Sequence, residues 1–262
     1  MTIEDWYSHY LNRNVVVDLY FPPNWNTLDR SEVSLLICND GQDLNTMNFM
    51  AMYEDFHHTN SLDCAFITVA LHAGSDRMNE YGVASKLDYL HRGKKAWAYQ
   101  YFITKEILPW IHRDYALNIT PANSVIAGFS LGGLSAFDIA WHNTDTFGKV
   151  GVFSGSLWWR SKPVDNTNPD QDLIMQNIVK NDYRTPKIKF WFQVGTNDEI
   201  EDRNNNGIID AIDDTRLMIS MLIEKGIQLK NIHYEEVEGG EHDVPTWGSV
   251  MPSFLNWAFK KN

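Results

Sequence analysis

The chain has 262 residues, 44% hydrophobic and 13% aromatic, and 22 Lys+Arg against 34 Asp+Glu give it a formal net charge of −12. Such a composition supports a sizeable core and excludes a disordered chain, while the excess of acid excludes the basic footprint of a nucleic-acid or anionic-membrane binder. The charge is uneven: Asp198–Asp214 holds seven acids and one Arg, Glu235–Asp243 holds five acids and no base, and together they carry −11 of the −12.

The length fits one domain over residues 1–262. No apolar run reaches the roughly 18–20 residues of a membrane span. Met1–Asn14 carries Glu4 and Asp5 and has no apolar stretch, so it does not read as a signal peptide. Cys38 and Cys64 have neither a disulfide-framework nor a zinc spacing and are expected as small buried hydrophobes. A cytoplasmic location is the simplest expectation, with secretion left open. Oligomeric state is not legible.

Val15–Phe21 reads as a first strand, stopped by Pro22-Pro23, and Val33–Cys38 and Ala65–Leu71 as short buried strands. A helix begins near Leu44 and ends at His57-His58. Ala96–Tyr115 has apolar residues at helical spacing. Ser124–Gly128 is a strand that runs directly into a helix from Leu131 to about His142. Val150–Phe153 and Lys187–Val194 are further strands, Arg216–Glu224 is a helix, Ile232–Val237 is a last strand, and Pro245 opens a helix to Phe259. The polar stretch Arg160–Pro186, with a weak helix near Leu173–Val179, is expected as an excursion over the sheet edge. Strands alternating with helices predict an α/β fold, a mainly parallel central sheet with helices on both faces.

The sharpest motif is Gly128-Phe129-Ser130-Leu131-Gly132-Gly133, which fits G-x-S-x-G between a strand and a helix. That context is the one a nucleophile elbow needs. Small neighbours are required because the serine sits in a tight, strained turn that lifts its hydroxyl off the sheet and aims the Leu131 N–H at a developing oxyanion. In such folds the order is Ser, acid, His. Of the histidines after Ser130, His142 lies at the far end of the following helix and His233 lies inside a strand, whereas His242 sits in the loop between the last strand and the last helix. His242 is therefore the expected base. The loop after Lys187–Val194 offers Asp198 as the acid, with Glu199 or Glu201 as substitutes. A second oxyanion donor is expected from Asn39-Asp40-Gly41-Gln42, as the N–H of Gly41 or of Gln42.

These motifs resemble the esterase D and enterochelin-esterase-like group of α/β-hydrolases, over nearly the whole chain from Val15 to Phe259. Asn39-Asp40-Gly41-Gln42 is similar to that group's oxyanion loop, and Arg77 with Glu80-Tyr81 to its R-x-x-E-Y segment. Phe153-Ser154-Gly155-Ser156 with Trp158 and Trp159 resembles its post-elbow strand end, and Gly239-Gly240-Glu241-His242 with Trp247 its histidine segment. The resemblance implies an α/β-hydrolase fold and a Ser130–His242–Asp198 triad acting on a small-molecule or saccharide-linked ester through an acyl-enzyme. Tyr81, Trp158, Trp159 and Trp247 are candidates either for a substrate pocket or for plain core. Acyl transfer with the same triad, or binding on a silent hydrolase fold, are the rival readings.

The acidic stretch from Asp202 to Asp213 follows the EF-hand type of loop, with oxygen donors at Asp202, Asn204, Asn206, the Ile208 carbonyl, Asp210 and Asp213, and Gly207 at the sharp turn. Asp rather than Glu at the last position resembles the dockerin variant. A structural Ca²⁺ is expected there; the alternative is an Asn-rich turn with Asp213 or Asp214 capping a helix that begins near Thr215.

Overall fold

The computed structural model describes residues 1–59, 64–165, 167 and 170–260. In chain order come β1 (Thr2–Ser8), β2 (Arg13–Tyr20), β3 (Ser34–Asn39), α1 (Asp43–Thr46), α2 (Phe49–His58), β4 (Phe66–Leu71) and α3 (Arg77–Glu80). Next are α4 (Ala96–Tyr101), a π-helical turn (Phe102–Ile107), α5 (Leu108–Tyr115), β5 (Ser124–Phe129), α6 (Leu131–His142) and β6 (Lys149–Phe153). α7 (Ile174–Asn181), β7 (Lys189–Asn197), α8 (Asp210–Glu224), β8 (Ile232–Glu241) and α9 (Val244–Phe259) complete the order.

The strands form one sheet in the order β1-β2-β4-β3-β5-β6-β7-β8. From β4 to β8 every pairing is parallel, and β1 and β2 join antiparallel at one edge. The central strand β3 pairs Ile37 with Val69 on one side and Ile126 on the other. All its side chains are buried because both faces are covered. Leu35, Ile37, Val69, Ile126 and Phe192 meet Phe102, Phe137, Trp141 and Met218 of α4 to α8 and the turn between them. On the opposite face Leu36, Cys38, Ala127, Phe153 and Trp191 meet Phe49 and Tyr53 of α2 and Phe254 and Leu255 of α9. Because β3, β5, β7 and β8 run the same way, the residues that follow them gather along one edge of the sheet. Ser130, Asp198, His242 and the 39–42 loop all follow such strand ends.

Several local expectations need correction. β1, absent from the expected elements, is a largely exposed strand with little apolar alternation to betray it. The helix expected from Leu44 is broken at Asn48, whose φ of 56° separates α1 from α2. The single helix expected over Ala96–Tyr115 contains the π-turn, directly before Pro109 at the start of α5; the wider turn accommodates a residue without an N–H. α8 begins at Asp210, not near Thr215, and places Asp210 and Asp213 in its first turn, where free N–H groups favour carboxylates. Within the 160–186 excursion, α7 buries Ile174, Met175 and Val179 in the core; residues 166, 168 and 169 lie outside the described residues. Among the described residues no helix is long and apolar enough to cross a membrane.

The covering of β6 by α9 depends on Gly151. A Cβ there would lie 2.5 Å from a ring carbon of Phe254 and 3.1 Å from the Ala127 Cβ. Gly151→Ala is expected to destabilise by about 1–3 kcal/mol through overpacking, read as a lower midpoint in urea with an unchanged slope.

Candidate active site

At the end of β5 the chain turns so tightly that Ser130 takes φ 54°, ψ −121°. A non-glycine residue persists in such a conformation only where its surroundings hold it. Here the Ser130 N–H donates to the Phe153 carbonyl at 2.8 Å, and the Ser130 carbonyl accepts from the N–H groups of Gly133 and Ser156, each at 3.0 Å. The following turn fits tightly, since a Cβ on Gly132 would lie 2.4 Å from Asp40 Oδ2. The Ser130 hydroxyl is 3.5 Å from the Ser156 hydroxyl, and among the described residues no hydrogen bond joins it to His242.

Opposite the elbow, the loop after β3 turns back at Asp40, also left-handed with φ 57°. The Gly41 N–H donates to the Leu71 carbonyl at 2.8 Å, so this donor is already engaged. The Gln42 N–H and the Leu131 N–H have no acceptor among the described residues, which leaves Gln42 as the free donor of the two alternatives. The Gln42 side chain is fixed as well, its Oε1 accepting from the Ala73 N–H at 3.0 Å. Asp40 is buried to 1% and both its carboxylate oxygens accept from Arg77, Oδ1 from Nε at 2.7 Å and Oδ2 from Nη2 at 2.8 Å. Its N–H donates to the Tyr81 hydroxyl at 3.1 Å. Arg77 Nη2 also donates to the Phe129 carbonyl at 3.3 Å. Asn39 Nδ2 donates to the Gly132 carbonyl at 2.8 Å, and Asn39 Oδ1 accepts from the Tyr99 hydroxyl at 2.7 Å.

The R-x-x-E-Y resemblance thereby acquires a physical content. Arg77 and Tyr81 hold Asp40, and Glu80 accepts both Nε and Nη2 of Arg13 at 2.7 and 2.6 Å, anchoring the same segment to β2. Sequence reasoning gave Arg77, Glu80 and Arg13 no role, and set Tyr81 among the pocket-or-core aromatics. The legible sign was a polar Asn39-Asp40 pair ending an otherwise apolar strand.

On the other side of Ser130, the chain leaves β8 at Glu241 and enters α9 at Val244, whose N-cap Asp243 accepts the Thr246 N–H at 2.9 Å. His242 occupies that short connection. Its Nδ1 lies 3.6 Å from Asp198 Oδ2, with the His242 side chain 39% exposed and the Asp198 side chain 1% exposed. Asp198 Oδ1 accepts the Gly195 N–H at 3.1 Å, while Oδ2 has no hydrogen-bond partner among the described residues. The 3.6 Å separation is longer than a formed bond, in keeping with sites that tighten only around a substrate. Among the described residues, neither Glu199 nor Glu201 pairs with His242. Burial, reinforced by Asp210 and Glu201, pushes the Glu199 carboxyl up to about 7.

The four aromatic candidates divide by burial. Tyr81 and Trp159 are fully buried, and Trp247 is nearly so. Trp247 Nε1 donates to the Ser154 hydroxyl at 2.9 Å, and its ring meets the His242 ring edge-on at a centroid distance of 5.4 Å. Trp158 is half-buried, with the Arg92 guanidinium 5.4 Å from its ring.

In the acidic loop, Asp202 accepts the N–H groups of Asn206 and Gly207 at 3.1 and 2.9 Å, and Asn206 Oδ1 accepts the Ile208 N–H at 2.8 Å. Asp213 Oδ2 accepts from the amides of Asn204 and Asn206 at 3.0 and 2.7 Å. These bonds draw Asp202, Asn204, Asn206 and Asp213 together. Asp210 is instead turned to Arg203, accepting its N–H at 2.9 Å. Among the described residues no three His, Cys, Asp or Glu side chains converge as a metal-ligand group.

A scan of family models matches residues 8–258 to Esterase (Putative esterase). Among curated proteins, the chain is 24% identical over 155 residues to the Iron(III) enterobactin esterase of Dickeya dadantii (strain 3937), which covers 59% of this chain and 34% of that one. The chain thus spans about a third of that relative's length. Among solved structures, the enterobactin esterase FES from Shigella flexneri in the presence of enterobactin superposes with a TM-score of 0.76 at 19% identity, over 97% of this chain and 57% of that one. A ferulic acid esterase superposes with a TM-score of 0.72 at 15% identity, over 99% and 96% of the two chains. With a family model covering nearly its whole length and this sheet beneath its site, the chain belongs to the Esterase family and has the α/β-hydrolase fold.

Proposed function

We propose that the protein is a serine carboxylic-ester hydrolase with Ser130 as nucleophile, His242 as base and Asp198 as its orienting acid. The observation that carries the reading is the left-handed Ser130 at an elbow against which the 39–42 loop packs, with the N–H groups of Leu131 and Gln42 lacking acceptors among the described residues. His242 and Asp198 on the same edge of the sheet complete it. In the forward step Ser130 Oγ attacks the ester carbonyl and His242 takes its proton, then passes it to the departing alkoxide. Asp198 holds the imidazole so that its other nitrogen faces the serine. The Leu131 and Gln42 N–H groups receive the oxyanion, an interaction worth about 10²–10³ in rate per donor in comparable sites. Water, deprotonated by His242, then releases the acyl group. The fold neighbours named above were an enterobactin esterase and a ferulic acid esterase. Together with the half-buried Trp158, they support an ester of an aromatic acid, or one carrying an aromatic group, as the substrate class.

Ser130→Ala is expected to abolish hydrolysis of methyl ferulate and p-nitrophenyl acetate and labelling by a fluorophosphonate, with the far-UV spectrum unchanged. Hydrolysis surviving at the wild-type rate overturns the assignment.

The choice of acid has its own test. Because the folded state raises the Glu199 pKa to about 7, the stabilisation from its proton is complete below about pH 4, the ordinary range of a glutamate, and is lost as the pH rises through 7. Glu199→Gln is therefore expected to be more stable than wild type at pH 8, the difference fading toward pH 4, and to keep its hydrolysis rate. A collapse of that rate in Glu199→Gln, with Asp198→Asn active, makes Glu199 the acid.

The acidic loop is proposed to hold a structural Ca²⁺ on Asp202, Asn204, Asn206, the Ile208 carbonyl and Asp213, with Asp210 swinging from Arg203 or contributing through water. Calcium at about 1 mM, the working range of extracellular sites of this kind, is expected to raise the melting temperature of wild type but not of Asp202→Ala. Equal curves with calcium and with a chelator leave the loop as a plain turn.

A further inference from the structure

We propose that Arg77 is a positioning residue for the oxyanion hole, one guanidinium setting the distance between the two segments that supply its N–H donors. The inference rests on the reading of Ser130 as nucleophile and of Gln42 and Leu131 as donors, and goes beyond it to what holds the donors in place.

The two donors come from separate stretches of chain. Gln42 follows β3, and Leu131 follows β5. An oxyanion hole works only if both N–H groups lie within a few tenths of an ångström of where the charge develops, and neither stretch is rigid by its own sequence. The Gln42 side depends on the left-handed turn at Asp40, a conformation that a non-glycine residue holds only when its surroundings insist. Arg77 supplies that insistence by taking both carboxylate oxygens of Asp40. Its Nη2 also reaches the Phe129 carbonyl, the last acceptor before the nucleophile. The Asp40 carboxylate thus held lies against Gly132, just past Leu131. One cation therefore bears on both halves of the hole. Its hydrogen bonds go to Asp40 and to the Phe129 carbonyl and not to the side chains of Ser130 or His242, so it acts through the loop and the elbow.

An ordinary buried ion pair would be expected to support folding alone, and Arg13–Glu80 provides that comparison. It has the same two-point geometry at 2.7 and 2.6 Å, and Glu80 belongs to the same helix as Arg77. Arg13 contacts neither Asp40 nor the elbow. Arg77 also keeps 29% of its side chain exposed, so the space left by truncation is open to a small soluble cation.

The test uses the full chain with Arg77→Lys, Arg77→Ala and Arg13→Met, assayed for kcat and KM on p-nitrophenyl acetate. It also measures inhibition by phenylboronic acid, whose tetrahedral adduct on the serine imitates the oxyanion. Arg77→Ala is expected to lose about 10²-fold in kcat, as for removal of one oxyanion donor, with KM within about threefold and boronate affinity falling in parallel. Arg77→Lys should fall between, and guanidinium chloride at non-denaturing concentration should restore part of the Arg77→Ala rate. Arg13→Met should lower the melting temperature and leave kcat and boronate affinity near wild type. Folded Arg77 variants with wild-type kcat and boronate affinity overturn the proposal, as does an Arg13→Met loss equal to that of Arg77→Ala. If Arg77→Ala does not fold, the boronate affinity of Arg77→Lys decides. Failure of the underlying reading looks different: wild type would not bind the boronate, and Ser130→Ala would remain active.

Discussion

The site depends on a charge that has no access to water. Asp40 is an ionisable group at the buried end of the central strand, and it is tolerated there because Arg77 meets both of its oxygens and Tyr81 receives its N–H. Pairs of this kind seldom add net stability, since removing two ions from water offsets most of their attraction. Their value lies in permitting one arrangement and disfavouring the rest. Here the arrangement is a reversed turn that brings the 39–42 loop against the elbow, close enough that Asp40 leaves no room for a side chain on residue 132.

The opposite wall of the site is built by different means. His242 faces the buried Asp198 carboxylate across 3.6 Å and forms no two-point ion pair like that of Asp40 with Arg77. It lies on a short connection between a strand and a capped helix, with Trp247 against its ring. That tryptophan is in turn fastened to Ser154, itself left-handed at φ 44°. Ser154 and Ser156 follow the same strand, so one turn after β6 bears on the Trp247 that supports His242 and on the backbone of Ser130. The 39–42 loop is held by the Arg77 ion pair and by hydrogen bonds, while His242 keeps a 3.6 Å gap to Asp198. Under the roles proposed for these residues, such an asymmetry suits an oxyanion position set in advance and a proton carrier that moves.

Much of this was legible in the sequence because it follows from periodicity and steric necessity. The buried strands announce themselves as apolar runs, and the elbow by glycines where a side chain cannot fit. The order of serine, acid and histidine then placed each on a strand end. What escaped was decided by tertiary partners. β1 is held by its pairing with β2 and not by an apolar pattern. The π-turn before Pro109 and the early start of α8 reflect local backbone accommodation that composition does not encode. Gly41 and Gln42 were equivalent donors in the sequence, and only the neighbouring Leu71 carbonyl distinguishes them. Tyr81, Trp159 and Trp247 were equally suited to pocket or core, and burial depends on what packs above them.

The strand that leads to His242 is also the last in the sheet. Its outer row of backbone groups would accept another strand, and a second molecule offers an identical one. Glu235, Glu236, Glu238 and Glu241 lie along that strand. Two such edges approaching each other bring like charges face to face at the spacing of a β-ladder, where repulsion is strongest. The concentrated acid of the C-terminal region therefore works against self-addition at this edge, on the strand that leads to His242.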